Sequence, residues 1–263
     1  MRDFLVGQYR PGNSWLHKVD PRIKLVTTMM VLLILFLVHA WASFALLVGL
    51  ALVQWLLANL RFGLLLRAIK PVWILLAFTL VYHVFSSSKG IIHFGPMRLS
   101  SVGLRRGVIL SVRLILLLWF SSLLTLTTPP MRLGEALVRL LAPLRVLKFP
   151  VDELAMMLMV ALRFVPTLLQ EAVILREAQW MRGSSLGRAS FSRRLQEAAS
   201  LLMPLLLGAI RKAEDLAEAM VSRGYVIGQK RTQRQLFMLA WTDWAYFLVV
   251  LVVVYSAWQV GLA

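Results

Sequence analysis

Glu177-Ala178-Gln179-Trp180-Met181-Arg182-Gly183 and, further along, Glu218-Ala219-Met220-Val221-Ser222-Arg223-Gly224 carry one phrase twice, Glu-Ala-x-x-x-Arg-Gly. Each copy closes a helical pattern. Good helix formers run up to the arginine, and glycine follows where a left-handed cap is usually needed. Each copy therefore places a guanidinium in the last turn of a helix, beside free carbonyls and pointing outward. One such arginine is ordinary, because cations suit helix C-termini. Two copies in an otherwise membrane-like chain suggest a pair of plugs for a pair of sockets. The plainer alternative is two unrelated capped helices whose ends happen to match.

The rest of the chain supplies that membrane setting. Of its 263 residues 59% are apolar, and the mean hydropathy is +0.75. This is well above a soluble domain and marks an integral membrane protein. Lys+Arg number 29 against Asp+Glu 12, a net charge of +17. Such an excess suits nucleic acid, anionic lipid or an acidic protein partner, and the hydropathy argues against nucleic acid. There is no cysteine, which removes disulfides, thiolate catalysis and thiolate metal sites. The opening residues are polar and lack an apolar h-region, so no cleavable signal peptide is expected.

Residues 1–24 read as a polar, basic lead-in, with turn chemistry at Pro11-Gly12-Asn13 and Asp20-Pro21. Asp20 can cap the helix that follows, with Pro21 at its first position. His17 has no second histidine or free carboxylate at ligand spacing, so a polar or interfacial role is expected. Leu25–Val38 and, after His39-Ala40-Trp41-Ala42, a second run extending to Leu60 are each long enough to cross a ~30 Å hydrocarbon core. Their connection holds no Lys or Arg, whereas the next, from Asn59 to Lys70, holds Arg61, Arg67 and Lys70. The positive-inside rule then puts the N-terminus in the cytoplasm. A third span is expected over Pro71–Phe85 and a turn-rich exterior loop over Ser86–Arg106. A fourth span follows over Gly107–Leu126. Arg113, inside the fourth, should face the bundle or reach back to the interface. Trp241–Gly261 makes a fifth span.

No Asp or Glu occurs between Pro21 and Gly134, whereas 9 of the 12 acids fall between Glu135 and Glu218, interleaved with arginines. Ion-coupled transporters need carboxylates near the midplane, and the first four spans have none. The acid-bearing region reads instead as amphipathic helix on the cytoplasmic side. Its apolar patches, Leu154–Leu162 and Leu201–Ile210, are each too short to span and are interrupted by charge or by Pro166 and Pro204. They read as helices lying on the membrane or on another protein. Met156, Met157 and Met159 suit an adaptable contact surface or plain core packing. The fold expected is an all-α membrane protein with about five transmembrane helices and a platform of long amphipathic helices. Residues 1–128 hold four spans, 129–235 the platform and 236–263 the last span.

The chain has no Gly-x-x-x-x-Gly-Lys-Ser/Thr, no Gly-x-Ser-x-Gly and no His-Glu-x-x-His. No catalytic residue, metal ligand or cofactor site is expected. An ion-coupled secondary transporter and a membrane-bound enzyme are the rival classes. The first lacks intramembrane carboxylates. The second lacks a carboxylate cluster, because the acids are spread singly or in pairs beside arginines, as in i, i+4 pairing.

Several stretches resemble the T component of energy-coupling factor (ECF) transporters, the EcfT/CbiQ family. They are Gly7-Gln8-Tyr9-x-Pro11-Gly12, Leu16-His17-x-x-Asp20-Pro21-Arg22-x-Lys24, Thr127-Thr128-Pro129, Pro150-Val151-x-Glu153-Leu154-Ala155-Met156-Met157 and Ala161-Leu162-Arg163-Phe164-x-Pro166. The two Arg-Gly phrases complete the match. The resemblance implies a non-catalytic subunit of an ATP-driven importer in a prokaryotic cell membrane, with no cofactor. It implies two coupling helices whose tips dock into two ABC-type ATPase subunits through Arg182 and Gly183, and through Arg223 and Gly224. Met181 and Ser222 stand beside these arginines where the family usually has alanine. A membrane-embedded substrate-binding S component for a vitamin or metal is the further partner implied.

Overall fold

A computed structural model describes residues 12–60, 63, 70–86, 91–94, 97–148, 150–181, 191–226 and 240–262. Among them helices dominate: α1 (Trp15–Lys18), α2 (Pro21–Leu37), α3 (Trp41–Ala58), α4 (Trp73–Ser86), α5 (Ser101–Thr127), α6 (Pro130–Leu140), α7 (Val151–Met181), α8 (Phe191–Ser222) and α9 (Trp241–Leu262). The architecture is that of an all-α membrane protein. Among the described residues four helices, α3, α5, α7 and α9, are long and apolar enough to cross a bilayer, and α4 is a shorter apolar helix. The five expected spans fall on α2, α3, α4, α5 and α9, of which α3, α5 and α9 have the length and apolarity to cross; α2 has 17 residues, α4 is shorter still, and the fourth candidate is α7, which was expected in the platform.

The described residues fall into two compact units, one within Gly7–Ala136 and Leu236–Ala263, the other within Leu137–Gln235. In the first, α2, α3, α5 and α9 pack on one another, and α4 pairs with α5. The helices begin and end where their sequence dictates. The Asp20 carboxylate accepts the Arg22 N–H at 2.9 Å, with Pro21 opening α2, the cap expected from Asp-Pro. Asn59 ends α3 in the left-handed region, φ 50°, which asparagine tolerates.

Helix packing in this unit rests on aromatic contact and interhelical hydrogen bonds, the means available where lipid is as apolar as the side chains. Trp55 and Trp119 meet at 5.1 Å between ring centroids, and Trp119 Nε1 donates to the Ala51 carbonyl. Ser43 Oγ donates to the Ala257 carbonyl at 2.7 Å and Gln54 Nε2 to Tyr246 Oη at 3.1 Å, tying α3 to α9. Large apolar side chains on the outer faces, such as Leu33, Phe36, Leu56 and Ile74, are exposed.

Two expectations need correction. The fourth span was expected from Gly107 after an irregular loop. Instead α5 starts at Ser101, behind a hairpin of β1 (Ile91–Phe94) and β2 (Met97–Ser100) in antiparallel register, Phe94 opposite Met97. Strand pairing satisfies backbone groups that a sequence of Gly and Pro appeared to leave loose. Pro166 and Pro204 were expected to interrupt their apolar patches, yet each lies inside a continuous helix, α7 or α8. A proline removes one backbone donor and perturbs one turn, which a long helix packed against a neighbour absorbs. As one helix, α7 also has the length and apolarity of a span, although its separate patches do not.

Candidate docking site

The second unit is built on the pairing of α7 and α8. Their approach is close at Gly208, where an added Cβ would lie 3.2 Å from Glu171 Oε1. The Glu171 carboxylate also pairs with the Lys212 ammonium, so charge and a missing side chain hold the same crossing. The pair is partly solvated and counts for little in stability, but it fixes which turns of the two helices meet. A second ion pair, Arg145 with Asp152, joins the 3₁₀ turn at Ala142–Leu147 to the first turn of α7.

Beside the crossing lies an apolar groove of about 770 Å³. Met156, Met157 and Phe164 of α7 line one side and Ala209, Ala213 and Ala217 of α8 the other, with Glu153 the single charged residue on its walls. Met157 is 68% exposed and Met156 half-buried. Their flexible thioethers suit a contact surface that must fit a partner.

The second Arg-Gly phrase ends α8. Gly224 has φ +75°, the left-handed conformation that its sequence position predicts. Its N–H donates to the Val221 carbonyl at 2.9 Å, and the Tyr225 N–H donates to the Met220 carbonyl at 3.0 Å. That pair of bonds is a Schellman cap. The cap places Arg223 at the helix end with its side chain exposed, while Ser222 Oγ turns back to the Ala219 carbonyl. Met220 and Tyr225, the residues the cap joins, also line the groove. The helix tip and the groove wall are thus one local structure.

In the first phrase, Trp180 and Met181 end the described part of α7 and are 70% and 87% exposed. Arg182 and Gly183 lie outside the described residues, as do Gly7–Pro11, Arg61, Arg67, Lys89 and residues 229–235. The structure places Ser222, Arg223 and Gly224 at the exposed end of α8, and Met181 is the exposed last described residue of α7. His17 bonds Ser14 through Nδ1 at 2.6 Å, a polar turn contact. Arg113 donates from Nη2 to the Val38 carbonyl at 2.6 Å and stands 5.8 Å over the Phe44 ring. It serves the end of α2, in line with a side chain reaching back. No group of three or more His, Cys, Asp or Glu that could hold a metal occurs among the described residues.

Similarity to known proteins agrees with this architecture. A profile of the cobalt transport protein family, CbiQ, matches residues 12–234. The energy-coupling factor transporter transmembrane protein EcfT of Brevibacillus brevis is 40% identical over 263 residues, covering 98% of this chain and 99% of its own. The EcfT proteins of Listeria innocua and Lacticaseibacillus paracasei are 37% and 36% identical, covering 92% and 93% of this chain and the same shares of their own. The chain belongs to the CbiQ/EcfT family. It is a transmembrane component of an ECF transporter. Family membership spans both units, the capped tip of α8 and the groove included.

Sequence reasoning missed two features of this family member. One is the Gly208–Glu171–Lys212 crossing, whose only sequence signal is a glycine inside a helical pattern. The other is a buried charge cluster in the first unit. Lys24, Asp20 and Asp243 are 3%, 7% and 4% exposed, and nothing in the spacing of Asp243 from Lys24 announces that they share a buried region.

Proposed function

We propose that the protein is the coupling subunit of an ATP-driven importer, doing no chemistry itself. Two ATPase subunits dock on the helix tips carrying Arg182-Gly183 and Arg223-Gly224, with Met181 and Ser222 beside them. A substrate-binding S component for a vitamin or metal seats on the apolar face of α7 and α8. In this reading the N-terminus and both coupling helices are cytoplasmic, and the protein lies in the cell membrane of a prokaryote, where ATP hydrolysis belongs to the partner chains.

The observation that carries the reading is the cap at Gly224. Arg223 projects from the end of α8 on a backbone locked by two hydrogen bonds, and the residues so locked, Met220 and Tyr225, form part of the groove. A push on the arginine therefore reaches the groove wall without passing through flexible chain. Charge pairs buried at an interface typically cost about 2–5 kcal/mol to break from one side. That is enough for an ATPase closing on nucleotide to carry the arginine along. The apolar groove then changes shape, and the S component held there reorients and releases its cargo.

The experiment is Arg182→Glu combined with Arg223→Glu. The ATPases should no longer co-purify, while the protein still inserts into the membrane. Undiminished co-purification with the double variant would refute the docking assignment.

A further inference from the structure

The two copies of the Arg-Gly phrase fold alike as far as both are described. Glu177–Met181 and Glu218–Ser222 are helical, and their exposure matches position by position. The first two residues are exposed, the third (Gln179 or Met220) is half-buried, and the last two are exposed. The repeat in sequence is thus a repeat in structure, down to which side of each helix is left bare. What differs is size. Two positions before the arginine stand Trp180, 70% exposed, and Val221, 71% exposed. One position before it stand Met181, 87% exposed, and Ser222, also exposed. The larger side chain falls on the α7 copy both times. Ser222 is more compact still, since its Oγ donates to the Ala219 carbonyl at 3.0 Å instead of reaching outward.

Tryptophan and arginine are among the residues most enriched where binding energy concentrates, so an open Trp180 beside the Arg182 phrase has the composition of an interface anchor. Lipid covers tryptophan elsewhere, at the membrane–water boundary. That role asks for an aromatic residue in both copies, whereas the second copy has valine, equally exposed. A socket that closes round a helix end asks only for a shape that fits, and shape is what differs. A residue two positions before the arginine lies about 200° from it round a helix, on the side that the guanidinium leaves bare. A socket closing round the tip therefore meets both.

We propose that these two positions decide which ATPase docks where. The end of α7 fits a socket with a wide apolar pocket that takes Trp180 and Met181. The end of α8 fits a socket too narrow for either, closed on Val221 and Ser222. The two sockets then belong to unlike ATPase chains. This pairing of tip with socket rests on the coupling reading and adds to it a rule of size.

The test uses the full-length protein assembled with its ATPases in lipid nanodiscs. The chain has no cysteine, so a thiol-linked photocrosslinker attaches only at Glu177→Cys or, in a second preparation, at Glu218→Cys. These are the first residues of the two phrases, both exposed. The label is attached before the ATPases are added, and mass spectrometry identifies the chain captured. In the parent, each position should capture one ATPase chain in roughly tenfold excess over the other. In the exchange variant, Trp180→Val, Met181→Ser, Val221→Trp and Ser222→Met together, the two captures should trade places. Trp180→Ala alone should weaken ATPase binding at the α7 end roughly 30-fold, as truncating a tryptophan anchor does. It decides the matter if the exchange variant does not assemble. Unchanged capture in the exchange variant overturns the size rule while leaving the coupling reading in place. So do equal capture of both chains at each position and a single kind of ATPase chain at both. A Trp180→Ala variant that binds as the parent does overturns it as well and returns Trp180 to the lipid surface. No ATPase captured at either position in the parent refutes the coupling reading, and the size rule with it.

Discussion

Substitution of Gly224 separates backbone conformation from every other contribution to docking. A Cβ built on Gly224 meets no atom within 4 Å, so alanine there brings no clash with another part of the protein. What it brings is the cost of a left-handed φ of +75°, roughly 1–2 kcal/mol for a residue with a Cβ. The chain can accept that strain or abandon the cap, which gives up the Gly224–Val221 and Tyr225–Met220 hydrogen bonds. If the capped tip is the form that binds, a cost of this size lowers the competent fraction, and apparent affinity falls by the same factor, about 5–30-fold. Valine, β-branched and poorly suited to positive φ, should lose more. Asparagine, which visits the left-handed region readily, should recover most of the loss. The assay is a titration of purified ATPase against the labelled protein in nanodiscs, with the predicted affinity order Gly, Asn, Ala, Val. Equal affinities across the series, or asparagine no better than alanine, would show that the cap does not set the docking geometry of Arg223.

Two further outcomes follow from other parts of the structure. Asp243→Ala leaves the buried Asp20 N–H without its acceptor, at about 1–3 kcal/mol, and takes the partner of the Ala240 N–H, which is exposed enough for water to replace it. Stability in detergent should fall by roughly 1–3 kcal/mol, and a thermal or denaturant unfolding curve no different from the parent's would contradict the buried cluster. Ala213→Trp places a large side chain in the groove, about three turns along α8 from its capped end. Pull-down should lose the S component and retain the ATPases; retention of both would remove the groove as the S component's seat.

How far the sequence reaches differs from one feature to the next. The Asp20-Pro21 cap and the glycine at the end of α8 were legible, because each depends on residues within one turn of each other. The apolar runs marked α3, α5 and α9 as spans for the same reason, length and composition being local quantities, whereas α7 has the length of a span only as one continuous helix. The hairpin at Ile91–Ser100 was not legible, since pairing depends on register between two weak segments. Nor were the continuous α7 and α8, whose prolines are tolerated only because a neighbouring helix supports the perturbed turn.

By itself, then, the sequence determined the membrane character, the helical class, the Arg-Gly end of α8 and the family that the two phrases resemble. Only the tertiary structure decided that Met220 and Tyr225 join the Arg223 tip to the groove, and that Lys24 and Asp243, more than two hundred residues apart, share one buried site. The physical reason is that composition and capping are set by neighbours along the chain. A groove or a buried charge cluster exists only once helices distant in sequence have packed, and no local pattern records which faces will meet.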